Sequence, residues 1–186
     1  MTVLTGGCAT VLTETTGEEG IAEDPTRRTA GTVVEDQSVE TRILVNLRSR
    51  EPAFRDATIN VVSHNGIVLL VGQVSGEELI DRASEIAADT SSHVRRVHNE
   101  LQVAGRRSLL SRGNDTWLAT KVRTQLAFNE DINADRMRVI ANDGRIYLMG
   151  IVSREEGDRA ARLARNVGGV TRVVTAFEYL QGAPTT

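Results

Sequence analysis

Apolar and polar positions along this chain form a pattern that occurs twice. NGIVLLVGQVSGEE (residues 65–78) and DGRIYLMGIVSREE (residues 143–156) share glycines, a Val-Ser pair and a Glu pair at an offset of 78 residues. Further on, VRRV at 94–97 recurs as VTRV at 170–173. Two copies of about 65 residues indicate two similar domains rather than a solenoid of many short repeats.

Each copy is predicted to open with an amphipathic helix. Apolar residues recur at i, i+4 and i+8, a spacing that places them on one helical face. Ser38 and Asp115 are the predicted N-caps of these helices. The predicted core positions are Val39, Ile43 and Leu47 in the first copy and Leu118, Val122 and Leu126 in the second.

A β-hairpin follows in each copy, with Asn-Gly at the first turn and Asp-Gly at the second. Both central residues of a type I′ turn need positive φ, which Asn, Asp and Gly tolerate. A further glycine interrupts the second strand, where a side chain would collide with a neighbour. The glycines expected to be structurally required are Gly66 and Gly144 in the turns and Gly72 and Gly150 in the strands.

A second helix is predicted after Ser75 and after Ser153, because a glutamate three residues on from each serine has the capping-box spacing. Each copy then closes with a strand, at 94–103 and 170–180. The order α-β-β-α-β predicts an α+β fold in which two helices cover one face of a three-stranded mixed sheet. The other sheet face is expected to be either solvated or packed between the domains.

These motifs resemble the BON domain. The strand end of the type V-x-L-x-G-x-V, the serine and acidic pair after it, and the closing V-x-x-V carry the resemblance. EDPTRRTAGTVVEDQSVETRI and NDTWLATKVRTQL are similar to segments of the dual-BON outer-membrane lipoproteins of Gram-negative bacteria. The resemblance implies tandem αββαβ domains at 38–104 and 114–181. A lipobox remnant and flexible tether (1–37), a linker (105–113) and a tail (182–186) would complete the chain.

The chain's one cysteine, Cys8, follows Leu4 and the small residues Thr5-Gly6-Gly7, a sequence similar to a lipobox. The basic region and apolar core of a signal peptide do not precede it, so Met1 is expected to be an internal start or a truncation of a longer precursor. In that precursor Cys8 would carry acyl chains, which contribute about 0.8 kcal/mol to membrane attachment per buried CH₂. The chain as written would stay unmodified.

Groups for catalysis or metal binding are sparse. His64, His93 and His98 have no i, i+4 helix spacing and do not recur in the other copy, so we expect all three on the solvated surface. No nucleophile elbow, H-E-x-x-H or P-loop motif occurs. The glutamate pairs lie at predicted helix starts, where they complement the helix dipole. We therefore expect a non-enzymatic protein that needs no cofactor and no metal.

Charge is distributed unevenly along the chain. The whole chain has a net charge of −3, yet residues 105–186 hold thirteen basic and nine acidic residues. A basic second copy in an acidic protein favours an anionic partner. Nucleic acid is not expected, because the bases are interleaved with acids and lack stacking aromatics.

The candidate site lies on the opening helix of the second copy. There a polar and aromatic stripe at i, i+4, i+7 and i+11 runs about 100° around the helix from the core face. It holds the chain's only Trp and its only Lys. An aromatic body beside a cationic head suits an anionic bilayer surface. The predicted phospholipid-binding residues are Trp117, Thr120, Lys121, Arg123, Thr124 and Phe128.

The resemblance implies an outer-membrane lipoprotein on the periplasmic face, attached through its acyl anchor, whose second domain binds phosphatidylglycerol or cardiolipin. It also implies a role in outer-membrane integrity, with some similar proteins gathering at division sites. Two alternatives stay open. Trp117 would in one of them pack against the first domain as interdomain core. In the other the stripe would be a protein interface that supports the outer-membrane assembly machinery.

Overall fold

The computed structural model describes Asp24, residues 27–103 and residues 109–180, with side chains of the last range from residue 113 onward. The predicted lipidation site Cys8 and the tail at 182–186 lie outside the described residues, as do residues 105–108 of the predicted linker. Residues 109–113, which were assigned to that linker, are instead helical.

Both copies fold as the pattern predicts, with the order α-β-β-α-β. The first domain comprises α1 (Ala30–Arg50), β1 (Thr58–His64), β2 (Ile67–Val74), α2 (Glu78–Ala88) and β3 (Arg96–Val103). The second comprises α3 (Leu109–Ala127), β4 (Met137–Asn142), β5 (Arg145–Val152), α4 (Arg154–Arg165) and β6 (Arg172–Tyr179). In each sheet the central strand pairs antiparallel with the strand before it and parallel with the strand after it. The predicted α+β fold with mixed three-stranded sheets is confirmed.

The first helix begins earlier than predicted. Helix α1 begins at Ala30, and the Thr29 side chain caps it. Ser38 therefore lies inside the helix rather than at its N-cap, and residues 30–37, assigned to the flexible tether, are helical. The buried apolar face of α1 has its first hydrophobic member at Val39. The apolar residues of the first turns, Val33 and Val34, are exposed, so these turns carry no core periodicity from which the start could be read.

Of the three other predicted N-caps, one forms and two do not. Helix α3 begins at Leu109, so Asp115 lies within it and is not its N-cap. The Ser153 side chain accepts a hydrogen bond from the Glu156 N–H at 3.1 Å, as predicted. Helix α2 begins after Glu77 without a side-chain cap, so Ser75 does not cap it.

The two hairpin turns have the backbone of type I′ turns. At residues 65–66 and 143–144 all four φ angles lie between 53° and 74°. Gly72 has φ of 140°, and a Cβ there would lie 1.9 Å from the Thr58 carbonyl oxygen. A Cβ at Gly150 would lie 2.9 Å from another main-chain carbonyl oxygen. The strand glycines thus allow a close approach between neighbouring strands that a side chain would prevent.

Each domain has its own core between its helices and its sheet. The six predicted core positions on α1 and α3 are at most 1% exposed. Both cores also take in apolar residues of the hairpin and of the second helix, including Leu79 and Ile86 in α2 and Ala160 and Ala164 in α4.

The opposite sheet faces pack against each other between the two domains. Alternate residues of β2, among them Leu69 and Val71, form a buried cluster with Tyr147 and Met149 of β5 and with Ala176 of β6. Every residue of β2 is buried, so this strand contacts apolar groups on both of its faces. The sheet face that does not contact the helices is therefore packed between the domains and not solvated.

Polar contacts surround the apolar interdomain cluster. Glu178 of the second domain accepts hydrogen bonds from the Asn65 side chain at 2.6 Å and from Arg95 at 2.5 Å. Elsewhere along the domain boundary, Arg138 of the second domain forms an ion pair with Glu40 of the first at 2.8 Å. These charge pairs orient one sheet on the other, because each is formed across the domain boundary.

Candidate functional site

The two aromatic side chains of the predicted stripe are exposed to solvent. Trp117 is 57% exposed and Phe128 is 82% exposed. Among the described residues of the second domain they are the only large apolar side chains that are exposed. Trp117 is therefore not interdomain core, and that alternative is wrong: the sheet faces, not α3, fill the space between the domains.

Lys121 holds its ammonium group over the indole. Its Nζ lies 4.2 Å from the centroid of the Trp117 ring, a cation–π distance. The same Nζ donates a hydrogen bond to the Gly168 carbonyl at 3.2 Å. The turn after α4 thus helps to position the cation beside the aromatic ring.

The two threonines contribute hydroxyl groups on the same exposed side of α3. Thr120 Oγ1 donates to the Thr116 carbonyl at 2.9 Å, and Thr124 is exposed between Trp117 and Phe128. We call the set Trp117, Thr120, Lys121, Thr124 and Phe128 the aromatic ridge.

Arg123 does not belong to the aromatic ridge. Six residues along a helix correspond to a rotation of about 120° away from Trp117. The Arg123 Nη2 donates to the Val139 carbonyl at 2.7 Å, and the side chain lines a cleft between the domains. Arg123 was predicted to bind lipid because it is near the stripe in sequence, but its position on another side of the helix directs the guanidinium to β4.

The helix surface around the aromatic ridge lacks exposed acids of its own. Between residues 113 and 128 the one acidic residue is Asp115, which is 5% exposed. Its carboxylate accepts hydrogen bonds from the Asp143 and Gly144 N–H groups at 2.9 and 3.0 Å. The ridge therefore carries positive charge, and the next acids are Glu130 and Asp131, beyond Phe128.

Sequence reasoning missed a carboxylate that holds the turn in each domain. Asp36 accepts hydrogen bonds from the N–H groups of Asn65 and Gly66 at 2.7 and 3.0 Å, as Asp115 does in the second domain. The signal was present as an aspartate on each opening helix, offset by 79 residues. It was not recognised because Asp36 fell within the segment assigned to the flexible tether, and Asp115 was predicted to cap a helix.

Burial raises the pKa of Asp36, but the hydrogen bonds to it more than offset this. The donors Ser63, Gly66, Arg28 and Asn65 together lower the Asp36 pKa to about 2. The carboxylate is therefore ionised over the neutral range, although the residue is only 1% exposed. It is a structural anion enclosed by its donors.

The expectation that all three histidines are on the solvated surface is wrong. His64 is 6% exposed, and burial, with the nearby Arg28, lowers its pKa to about 4. His93 Nε2 lies 3.3 Å from the Asp36 carboxylate. His98 is partly buried, which lowers its pKa. His93 contacts Asp36 of its own domain, whereas His64 lies near Arg138 of the second domain. These tertiary contacts join residues distant in the chain, so the local pattern could not indicate them.

A cleft of about 460 Å³ separates the edge strand of the first sheet from the second domain. Strand β1 forms one wall, and β4 and α3 form the other. Apolar residues such as Val62 and Ile140 alternate there with the charged Glu40, Arg123 and Arg138.

The described part of the chain offers neither a metal site nor a membrane-spanning helix. Within residues 27–103 and 109–180, no cluster of His, Cys, Asp and Glu side chains has the geometry of a metal site. None of the described helices combines the length and the apolar character that crossing a membrane requires.

Comparison with known proteins identifies the two domains and several relatives. The BON domain family model matches residues 35–105 and again residues 114–181. The chain is 34% identical over 154 residues to a 21 kDa hemolysin of Actinobacillus pleuropneumoniae, covering 83% of this chain and 79% of that protein. It is 32% identical over 160 residues to the outer membrane lipoprotein DolP of Haemophilus influenzae, covering 86% of this chain and 81% of that protein.

Among solved structures, the C-terminal domain of CdsD, a structural protein of the type III secretion system of Chlamydia trachomatis, is similar at 13% identity and a TM-score of 0.31. It covers 78% of this chain and 67% of that one, and at this score it supports no argument about function. The family model and the two relatives span both repeats, so the chain belongs to the BON domain family and carries two BON domains in tandem.

Proposed function

We propose that this protein binds anionic phospholipid at a membrane surface through the aromatic ridge of its second BON domain, without enzymatic activity. The observation that carries the proposal is the pair of exposed aromatic side chains, Trp117 on α3 and Phe128 directly after its end, with Lys121 over the indole. Solvent-exposed aromatic rings of this size are costly in water and gain free energy at a lipid interface. The ammonium group adds selectivity for anionic headgroups.

The energetics favour weak, reversible contact. Trp117 keeps 57% of its surface exposed, and inserting that surface in lipid contributes about 2–3 kcal/mol. Phe128 contributes a similar amount, and Lys121 adds about 1 kcal/mol against anionic lipid. These amounts, reduced by the entropy of association, correspond to weak binding by the isolated domains. A membrane anchor would raise the effective lipid concentration and make such contact persistent.

The relative from Haemophilus influenzae is an outer membrane lipoprotein, which supports the same location for this chain. We place the protein at the periplasmic face of the outer membrane, attached through acyl chains on Cys8 of its precursor. There it would recognise phosphatidylglycerol or cardiolipin and support outer-membrane integrity, including at division sites.

The test is co-sedimentation of the protein with vesicles of phosphatidylcholine alone or with added phosphatidylglycerol or cardiolipin. Trp117 is the chain's only tryptophan, so a blue shift of its emission reports its own insertion. We expect binding only with anionic lipid. Trp117→Glu should weaken that binding by about tenfold or more, since it removes the apolar contact and adds a repelled charge.

The matched control is Val45→Glu on α1 of the first domain. Val45 is also 57% exposed, so the substitution places the same charge at an equally exposed helical position away from the aromatic ridge. Binding should be unchanged in this variant. Binding that ignores anionic lipid, or that is equally weakened by both substitutions, would contradict the proposal and favour the alternative of a protein interface for the outer-membrane assembly machinery.

A further inference from the structure

Among the described residues, no strand pairs with the outer edge of the first sheet at the cleft between the domains. Strand β1 is the outer strand of its sheet, and it lines a cleft of about 460 Å³ together with β4 and α3. The outer strand of a sheet presents main-chain N–H and C=O groups that its one neighbour does not pair. The register of the β1–β2 hairpin identifies these unpaired main-chain groups.

In a two-residue hairpin the residues that flank the turn exchange hydrogen bonds, and the pairs along the ladder then alternate. His64 and Ile67 flank the turn, so the main-chain groups of Ser63, Val61 and Ile59 point away from β2. Ser63 agrees with this assignment. Its N–H donates to the Glu40 carboxylate at 2.8 Å, and its carbonyl accepts from Arg138 at 3.0 Å.

In the part of the chain that the structure describes, the next outward-pointing carbonyl along the edge strand accepts a side-chain hydrogen bond in the second domain but not in the first. In the second domain Arg123 donates to the Val139 carbonyl at 2.7 Å. By the repeat offsets of 78 in the hairpin and 79 in the helix, the counterparts in the first domain are Val61 and Leu44. A leucine has no donor, so the Val61 carbonyl is not capped in this way.

The outward groups of Ile59 and Val61 consequently have no hydrogen-bond partner among the described residues. Strand β3, the opposite edge of the same sheet, differs. There the Asn99 side chain accepts a hydrogen bond from the Leu101 main-chain N–H at 3.0 Å, so this N–H is not available to another strand. On the cleft side, the outward groups of two successive alternate residues, Ile59 and Val61, are both available to a ladder.

We propose that the cleft binds an extended peptide segment of a protein partner, which adds to the edge of β1 at residues 59–61. Ile140, which is only partly buried in the cleft, suits an apolar side chain of such a strand. Arg123 lines the same cleft and pairs with no carboxylate among the described residues, so an acidic residue in the segment would find its charge complement there. This surface is separate from the aromatic ridge and does not depend on lipid binding.

The test uses the full chain, labelled with ¹⁵N, and the acetylated peptide Thr-Val-Thr-Val-Glu-Val-Thr as the probe. We expect the amide signals of Ile59 and Val61 to shift on titration and their hydrogen exchange to slow, while Asn60, whose N–H points toward β2, changes less. A control peptide with proline in place of each valine lacks the donors for a ladder and should not bind.

The decisive variant is Leu44→Arg, which copies the arginine of the second domain and should cap the Val61 carbonyl. Probe affinity should fall by about tenfold, equivalent to about 1.4 kcal/mol. Leu44→Met, which adds no donor, should leave affinity unchanged, and a thermal melt of both variants checks that they are folded. No binding of the probe, binding that Leu44→Arg does not weaken, or shifts at residues 59–61 caused by anionic vesicles instead of the peptide would each overturn the proposal.

Discussion

Replacing Asp36 by asparagine tests how the first BON domain holds its hairpin. The Asp36 carboxylate lies inside the domain at 1% exposure and faces only donors. Asparagine keeps the shape and one acceptor oxygen but turns an NH₂ group toward those donors. The donors within 3.3 Å are Ser63 Oγ, the Asn65 and Gly66 N–H groups, Arg28 Nη1 and His93 Nε2.

The magnitude follows from the Asp36 pKa, which is lowered from 3.8 to about 2 in the folded protein. This difference corresponds to about 2 kcal/mol of stability from the ionised carboxylate. Because the folded pKa is the lower one, the contribution is complete above about pH 4 and is lost as the pH falls toward 2. About half of it should be gone at about pH 3.

Asp36→Asn should therefore lower the free energy of unfolding by about 2 kcal/mol at neutral pH, and the difference from the parent protein should shrink below about pH 4. Urea denaturation across this pH range, followed by circular dichroism, measures it. The control is Asp81→Asn on the surface of α2, where the side chain is exposed. A destabilisation that stays constant from pH 7 to pH 3, or that Asp81→Asn reproduces, would refute the reasoning.

Two further predictions concern burial and backbone geometry. The His64 pKa is lowered to about 4 from 6.5, so stability should fall as the pH drops from about 6.5 to 4, by up to about 3 kcal/mol. His64→Gln should flatten that part of the pH profile in urea titrations, and an unchanged slope would contradict the assignment. Gly72→Ala should lower the melting temperature markedly, since its Cβ would lie 1.9 Å from the Thr58 carbonyl oxygen. Gly113→Ala, which has open space in a helix, should not lower it, and equal effects of both substitutions would contradict the steric argument.

Much of the domain architecture was predictable because it depends on local periodicity and on a duplicated pattern. Helical i, i+4, i+8 spacing placed Ile43 and Val122 in the two cores, and Asn-Gly and Asp-Gly placed the turns. A repeat within one chain reinforces such signals, since each copy tests the interpretation of the other. The exposed stripe with Trp117 was also visible, because a helix displays its non-core face whatever packs on the opposite side.

The sequence by itself determined the two αββαβ domains, their turns and the aromatic ridge, because these depend on neighbours within a few turns or strands. The tertiary structure decided what the second face of each sheet contacts, since Leu69 and Tyr147 meet only when one domain docks on the other. It also decided the burial of His64, the turn-holding role of Asp36 and the direction of Arg123 toward β4. Each of these depends on contacts between residues that are far apart in the chain. A local sequence pattern contains no information about which such residues meet or how far they are buried.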